Sequence, residues 1–69
     1  MQNWKKVYTT GSPVRAEIVK NILDQSAIPA ILVNKQDSSY QAFGEVEIHV
    51  RGIDVLRALK ILADEVEFE

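Results

Sequence analysis

A chain of 69 residues with eight Lys and Arg against ten Asp and Glu, a net charge of −2 and no cysteine bounds the problem closely. There is room for one domain, read as spanning residues 1–69, and a core this small contributes only roughly 3–5 kcal/mol net. Without cysteine, disulfide staples, thiolate metal sites and a cysteine nucleophile are excluded, so added stability is expected from self-association. The near-neutral mixture of charges lacks the basic footprint of a nucleic-acid binder, so no nucleic-acid partner is expected.

The amino terminus, Met1 to Lys6, has no apolar signal core. The longest apolar run, Ile28 to Val33, is broken by Pro29 and far too short to span a bilayer. The chain therefore reads as soluble and cytoplasmic, with no membrane partner.

Trp4 to Thr10 is rich in aromatic and β-branched residues and ends at Gly11, which predicts a first strand. Ser12 then offers a helix cap and Pro13 suits the first helical position, where its missing N–H has no intrahelical partner. Val14, Ile18 and Ile22, with Val19 and Leu23, predict the apolar stripe of an amphipathic helix. Pro29 biases Ile28 away from helical geometry, and Ala30 to Val33 continues as a second strand. Gly44 to Arg51 is the clearest strand, with Val46, Ile48 and Val50 on one face and Glu45, Glu47, His49 and Arg51 on the other. Asp54 is placed to cap a second helix, with Val55, Leu59, Leu62 and Val66 as its stripe and Leu56 and Ala58 alongside. Alternation over Glu65 to Glu69 admits a short closing strand.

The order β-α-β-β-α(-β) predicts an α+β, ferredoxin-like split β-α-β fold. A right-handed crossover makes strands one and two parallel, the third lies antiparallel between them, and both helices cover one face. The other sheet face stays open. Ala30 to Val33 puts apolar groups on both sides of its strand, and Trp4, Lys6 and Tyr8 join the uncovered face if Val7 turns to the helices. Trp4, Tyr8, Ile31 and Val33 are accordingly the expected interface of a homo-oligomer, a dimer or larger.

The richest concentration of hydrogen-bonding side chains is Asn34-Lys35-Gln36-Asp37-Ser38-Ser39-Tyr40, in the connection spanning 34–43. At about ten residues it exceeds the usual hairpin loop of 2–5, which marks it as a candidate pocket for a small polar ligand or a protein partner. In that pocket Asn34, Gln36, Ser38 and Tyr40 would read polar groups and Lys35 or Asp37 would meet charge. The plainer account is a turn whose side chains bond their own backbone. A hydroxyl run without glycine is not a P-loop, so no nucleotide motif is present. Thr9, Thr10, Gly11 and Ser12 approach a helix start, where an anion could bind or a cap could simply form. Gly52 to Asp54 makes the same offer at the second helix.

Glu45, Glu47 and His49 recur at a spacing of two, about 6.6–6.8 Å per step, too wide for three ligands on one ion without other help. A solvated or interface charge row is the expectation there, with no metal and no cofactor. One histidine with no partner gives no visible catalytic triad, so no enzyme is expected.

The segments Val7-Tyr8-Thr9-Thr10, Ser12-Pro13, Ala16-Glu17-Ile18-Val19, Ile28-Pro29-Ala30, Asn34 to Tyr40 and Gly44-Glu45-Val46-Glu47 carry a resemblance over nearly the whole chain. It resembles the small bacterial family named for putative prokaryotic signal-transducing proteins, a domain of unknown function likened to the oligomeric, ferredoxin-like PII regulators. The resemblance implies a fold and a noncatalytic regulatory role, and no established site residues to transfer. The alternative is a single-stranded nucleic-acid-binding module that stacks bases on Trp4 or Tyr8, against which Glu45 and Glu47 would repel phosphate. One departure from the family pattern is Ala27, where glycine is common before the Ile-Pro pair. A left-handed helix cap at alanine costs about 1–2 kcal/mol, so a different helix ending or local strain is expected.

Overall fold

The structure, a computed structural model, describes residues 3–35 and 45–65. Strand β1 (Trp4–Thr10) leads to helix α1 (Pro13–Gln25), strand β2 (Ala30–Asn34) and strand β3 (Val46–Arg51). A 3-10 turn (Gly52–Asp54) then enters helix α2 (Val55–Glu65). The sheet order is β1-β3-β2, with β3 antiparallel to both neighbours and β1 and β2 therefore parallel. This is the split β-α-β arrangement of an α+β, ferredoxin-like fold. The segment read as a closing strand lies, from residue 66 on, outside the described residues.

Val46, Ile48 and Val50 are fully buried and form the centre of the core, as their alternation requires. From the helices Ala16, Val19, Leu23, Ala58 and Leu62 close over them, with Ile28 at the turn between α1 and β2. Two expectations need correction. Val14 is 68% exposed and Ile18 is also exposed, whereas Ala16, Val19 and Leu23 make the buried arc of α1. On α2, Leu56 is 82% exposed and Leu59 is exposed, while Ala58 and Leu62 turn inward. Both helices carry apolar residues over a wider arc than the sheet can cover. The small Ala16 and Ala58 are buried with Val19, Leu23 and Leu62, while Val14, Ile18, Leu56 and Leu59 stay outside.

The register of β1 holds a further correction. Trp4, Lys5 and Lys6 pair with Arg51, Val50 and His49, after which a bulge at Val7 shifts the ladder so that Tyr8 pairs with Ile48. The extra residue breaks the alternation of two. Val7 and Tyr8 both pack against the helix-side core, so Tyr8 is not on the open face with Trp4 and Lys6.

Helix α1 ends in a left-handed cap despite its alanine. Ala27 has φ 63°, its N–H donates to Asp24 O at 3.1 Å, and the Ile28 N–H reaches back to Leu23 O at 2.9 Å. These are the two bonds of a Schellman motif, and the hydrophobic contact that accompanies it is available between the fully buried Leu23 and Ile28. Of the two expected outcomes at Ala27, strain is the one present. Burial of Ile28 and Leu23 holds a backbone angle that alanine by itself disfavours.

Candidate functional site

The sheet face away from α1 and α2 is built by alternation and register. Trp4, Lys6 and Thr9 come from β1, Glu47, His49 and Arg51 from β3, and Ile31 and Val33 from β2, with Lys35 just beyond its end. At its centre Glu47 is only 9% exposed. The Nε2–H of His49 donates to Glu47 Oε1 at 2.9 Å, and since a carboxylate only accepts, Nε2 carries the proton. Lys6 Nζ and Lys35 Nζ stand 3.7 Å and 3.8 Å from Glu47 Oε2, approaching from opposite sides.

Both lysines reach Glu47 along diagonals: Lys6 is opposite His49, while Thr9 and Val33 are the direct partners of Glu47. Diagonal neighbours are within reach of long side chains. The bond from His49 holds the Glu47 carboxyl below its ordinary value of 4.5; burial opposes this, and the charges of Lys35, Lys6 and His49 add to the lowering. One carboxylate thus joins all three strands. Glu45 lies to the side, accepting a hydrogen bond from Thr9 Oγ1 at 3.2 Å.

Sequence pattern alone placed Glu45, Glu47 and His49 in one exposed row. It missed the burial of Glu47 and the convergence of Lys6 and Lys35 on it, because both depend on the register of β3 against segments distant in sequence. The available signal was a lysine within β1 and another immediately after β2. Among the described residues no group of three His, Cys, Asp or Glu side chains is arranged to hold a metal ion.

Other sequence-marked positions are distributed as follows. Asn34 ends β2, and Lys35 follows it with its backbone N–H donating to Glu45 O at 2.8 Å. Gln36, Asp37, Ser38, Ser39 and Tyr40 lie outside the described residues. At the start of α1, Ser12 Oγ accepts from the Arg15 N–H at 3.3 Å and Thr10 Oγ1 accepts from the Ser12 N–H at 3.1 Å. With Pro13 lacking an N–H and Ala16 N–H bonded to Ser12 O, this helix start is largely satisfied from within. Gly11 beside it is exposed, and a Cβ there would meet nothing within 4 Å.

Asp54 does something other than the expected capping. It is 3% exposed, with Oδ2 accepting from Arg51 Nε and lying 3.0 Å from Arg51 Nη2, and Oδ1 lying 3.4 Å from Arg57 Nη1. Arg57 Nη2 also donates to Ser26 O at 3.1 Å, tying the start of α2 to the end of α1. Nearby, Asn3, Trp4, Arg51, Gly52 and Ile53 line a shallow hollow of about 400 Å³. Arg51 is its ionisable group, and that guanidinium is already engaged by Asp54.

The described residues thus form a small three-stranded sheet backed by two helices, with a central carboxylate on the opposite face flanked by cations on both sides. Residues 4–65 match the family described as "Putative prokaryotic signal transducing protein", and the chain belongs to it. Comparison with curated proteins and with solved structures returned no match. No helix among the described residues is long and apolar enough to cross a membrane.

Proposed function

We propose that this chain is a noncatalytic, PII-like signal-transducing module of the cytoplasm that self-associates and binds a small polar ligand or a protein partner. Contact would be made at the Asn34–Tyr40 connection and the adjoining part of the open face. Membership of a signal-transducing family supports the regulatory role. The observation that carries the binding surface is the Glu47 cluster. Lys35 follows β2 at the start of that connection and also faces Glu47, so a ligand meeting Lys35 would alter the charge balance at the centre of the sheet. Trp4, Ile31 and Val33 flank the cluster with half-buried apolar surface.

The same cluster weighs against catalysis and against nucleic acid. His49 and both lysines are directed at one carboxylate and Arg51 at Asp54, so the described cations of this sheet face are already engaged with acids rather than set out to follow a phosphate backbone. A metabolite screen read by amide chemical shifts tests the proposal. Perturbation of Asn34, Lys35, Glu47 and His49 is the expected result; shifts confined to the helices would refute the site. A salt-sensitive complex with single-stranded oligonucleotides would instead establish the competing function.

A further inference from the structure

Among the described residues the sheet has two outer edges, β1 and β2, and they are finished differently. Strand β1 carries Lys5, Lys6 and the bulge at Val7, features that discourage another strand from pairing along an edge. Strand β2 has no charged residue from Ala30 to Val33, and its register against β3 is unbroken.

One bond fixes which way the backbone of β2 points. The Lys35 N–H donates to Glu45 O, so Lys35 turns its polar groups toward the β3 line, and successive residues alternate sides. Val33 and Ile31 therefore also face β3. Leu32 and Ala30 turn their N–H and C=O groups outward. Pro29 falls in the inward-facing set, so its missing N–H takes nothing from the outer edge.

We propose that this edge pairs with β2 of a second copy, antiparallel across a twofold axis at Ile31, joining two three-stranded sheets into one. In this register Ala30 exchanges N–H···O bonds with the partner's Leu32, and Leu32 does the same with the partner's Ala30. Ile31 meets the partner's Ile31 on the open face as a non-hydrogen-bonded pair, the closer of the two antiparallel pair types. Charge selects a second copy at this edge. Two β2 strands bring no like charges together from Ala30 to Val33, whereas two β1 strands would set Lys5 and Lys6 against their own copies. The arrangement deepens the self-association part of the reading above and is independent of its ligand part. It would also place two Glu47 clusters on one continuous sheet face.

Sedimentation of the full chain at about 100 μM, where a micromolar Kd keeps most chains paired, gives the first test. The wild type and Lys5→Glu, a change on the β1 edge, are expected to be dimers. Ile31→Lys, which opposes two ammonium groups on the axis, is expected to weaken association at least about tenfold with unchanged far-UV circular dichroism. Independently of any variant, exchange of the Leu32 amide should slow as wild-type concentration rises. A wild-type monomer, a dimer that Ile31→Lys leaves intact, or a Leu32 amide with concentration-independent exchange would each overturn the pairing. Because a monomer can still be screened for ligands, failure here is distinguishable from failure of the signalling site.

Discussion

Glu47 and Asp54 are the two buried acids among the described residues, and they are neutralised in opposite styles. Asp54 is gripped at 3.0 Å by two nitrogens of Arg51, and Arg57 spans from its other oxygen, at 3.4 Å, to a backbone carbonyl at the end of the neighbouring helix. Glu47 has one short bond, from His49, and two lysine ammonium groups held beyond hydrogen-bond distance. A fork fixes an angle as well as a distance, whereas lysine acts as a mobile point charge on a long stem. The Asp54 cluster therefore behaves as a joint between helices. That of Glu47 is an adjustable charge at the middle of a surface.

The contrast is most easily broken at the joint. Asp54→Ala removes charged hydrogen bonds and the anchor for Arg57, and a loss of about 2 kcal/mol is expected in urea unfolding. A change below half of that would mean the two arginines rehydrate without cost and that no joint exists.

Acid titration sharpens the comparison next. The folded-state value for Glu47 is depressed, so its ionised form contributes stability that is fully present above the unfolded value near 4.5 and is lost as pH falls through the lower folded value. Glu47→Gln should flatten this part of the stability profile while leaving the wild-type and variant folds alike at neutral pH. An unchanged acid slope would show that the carboxylate is not held by its neighbours.

Ala27→Gly should stabilise the chain by about 1 kcal/mol, through relief of the left-handed angle offset by a more flexible unfolded state. Thermal unfolding reads it, and no gain would mean that the cap is not strained. Smallest are the effects of Lys6→Met or Lys35→Met. Each removes one exposed, long-range cation and is expected to change stability by no more than about 0.5 kcal/mol. Raising the Glu47 carboxyl toward its ordinary value, followed by side-chain carboxyl NMR, is the more direct sign of the lost charge.

The element order was legible because each element carries its own period. Val46, Ile48 and Val50 alternate in sequence and are buried in space, and Ser12-Pro13 marks the helix start that the structure contains. Ala27 was legible as a problem too, since its side chain conflicts with the cap its neighbours require. What escaped was set between elements. The bulge at Val7 moved Tyr8 to the core side, and only the registers of β3 with both of its neighbours reveal that Lys6 and Lys35 flank Glu47. The buried arc of α1 escaped for a related reason: Val14 and Ile18 are as apolar as Val19 and Leu23, and sheet position alone decides between them.

The left-handed alanine at the end of α1 bears on how long a copy of this chain survives. In a protein whose folded state is favoured by only a few kcal/mol, about 1 kcal/mol held in one backbone angle raises the unfolded fraction about fivefold. Proteolysis that samples the unfolded chain follows that fraction, so the identity of residue 27 sets turnover without touching the sheet face or its charges.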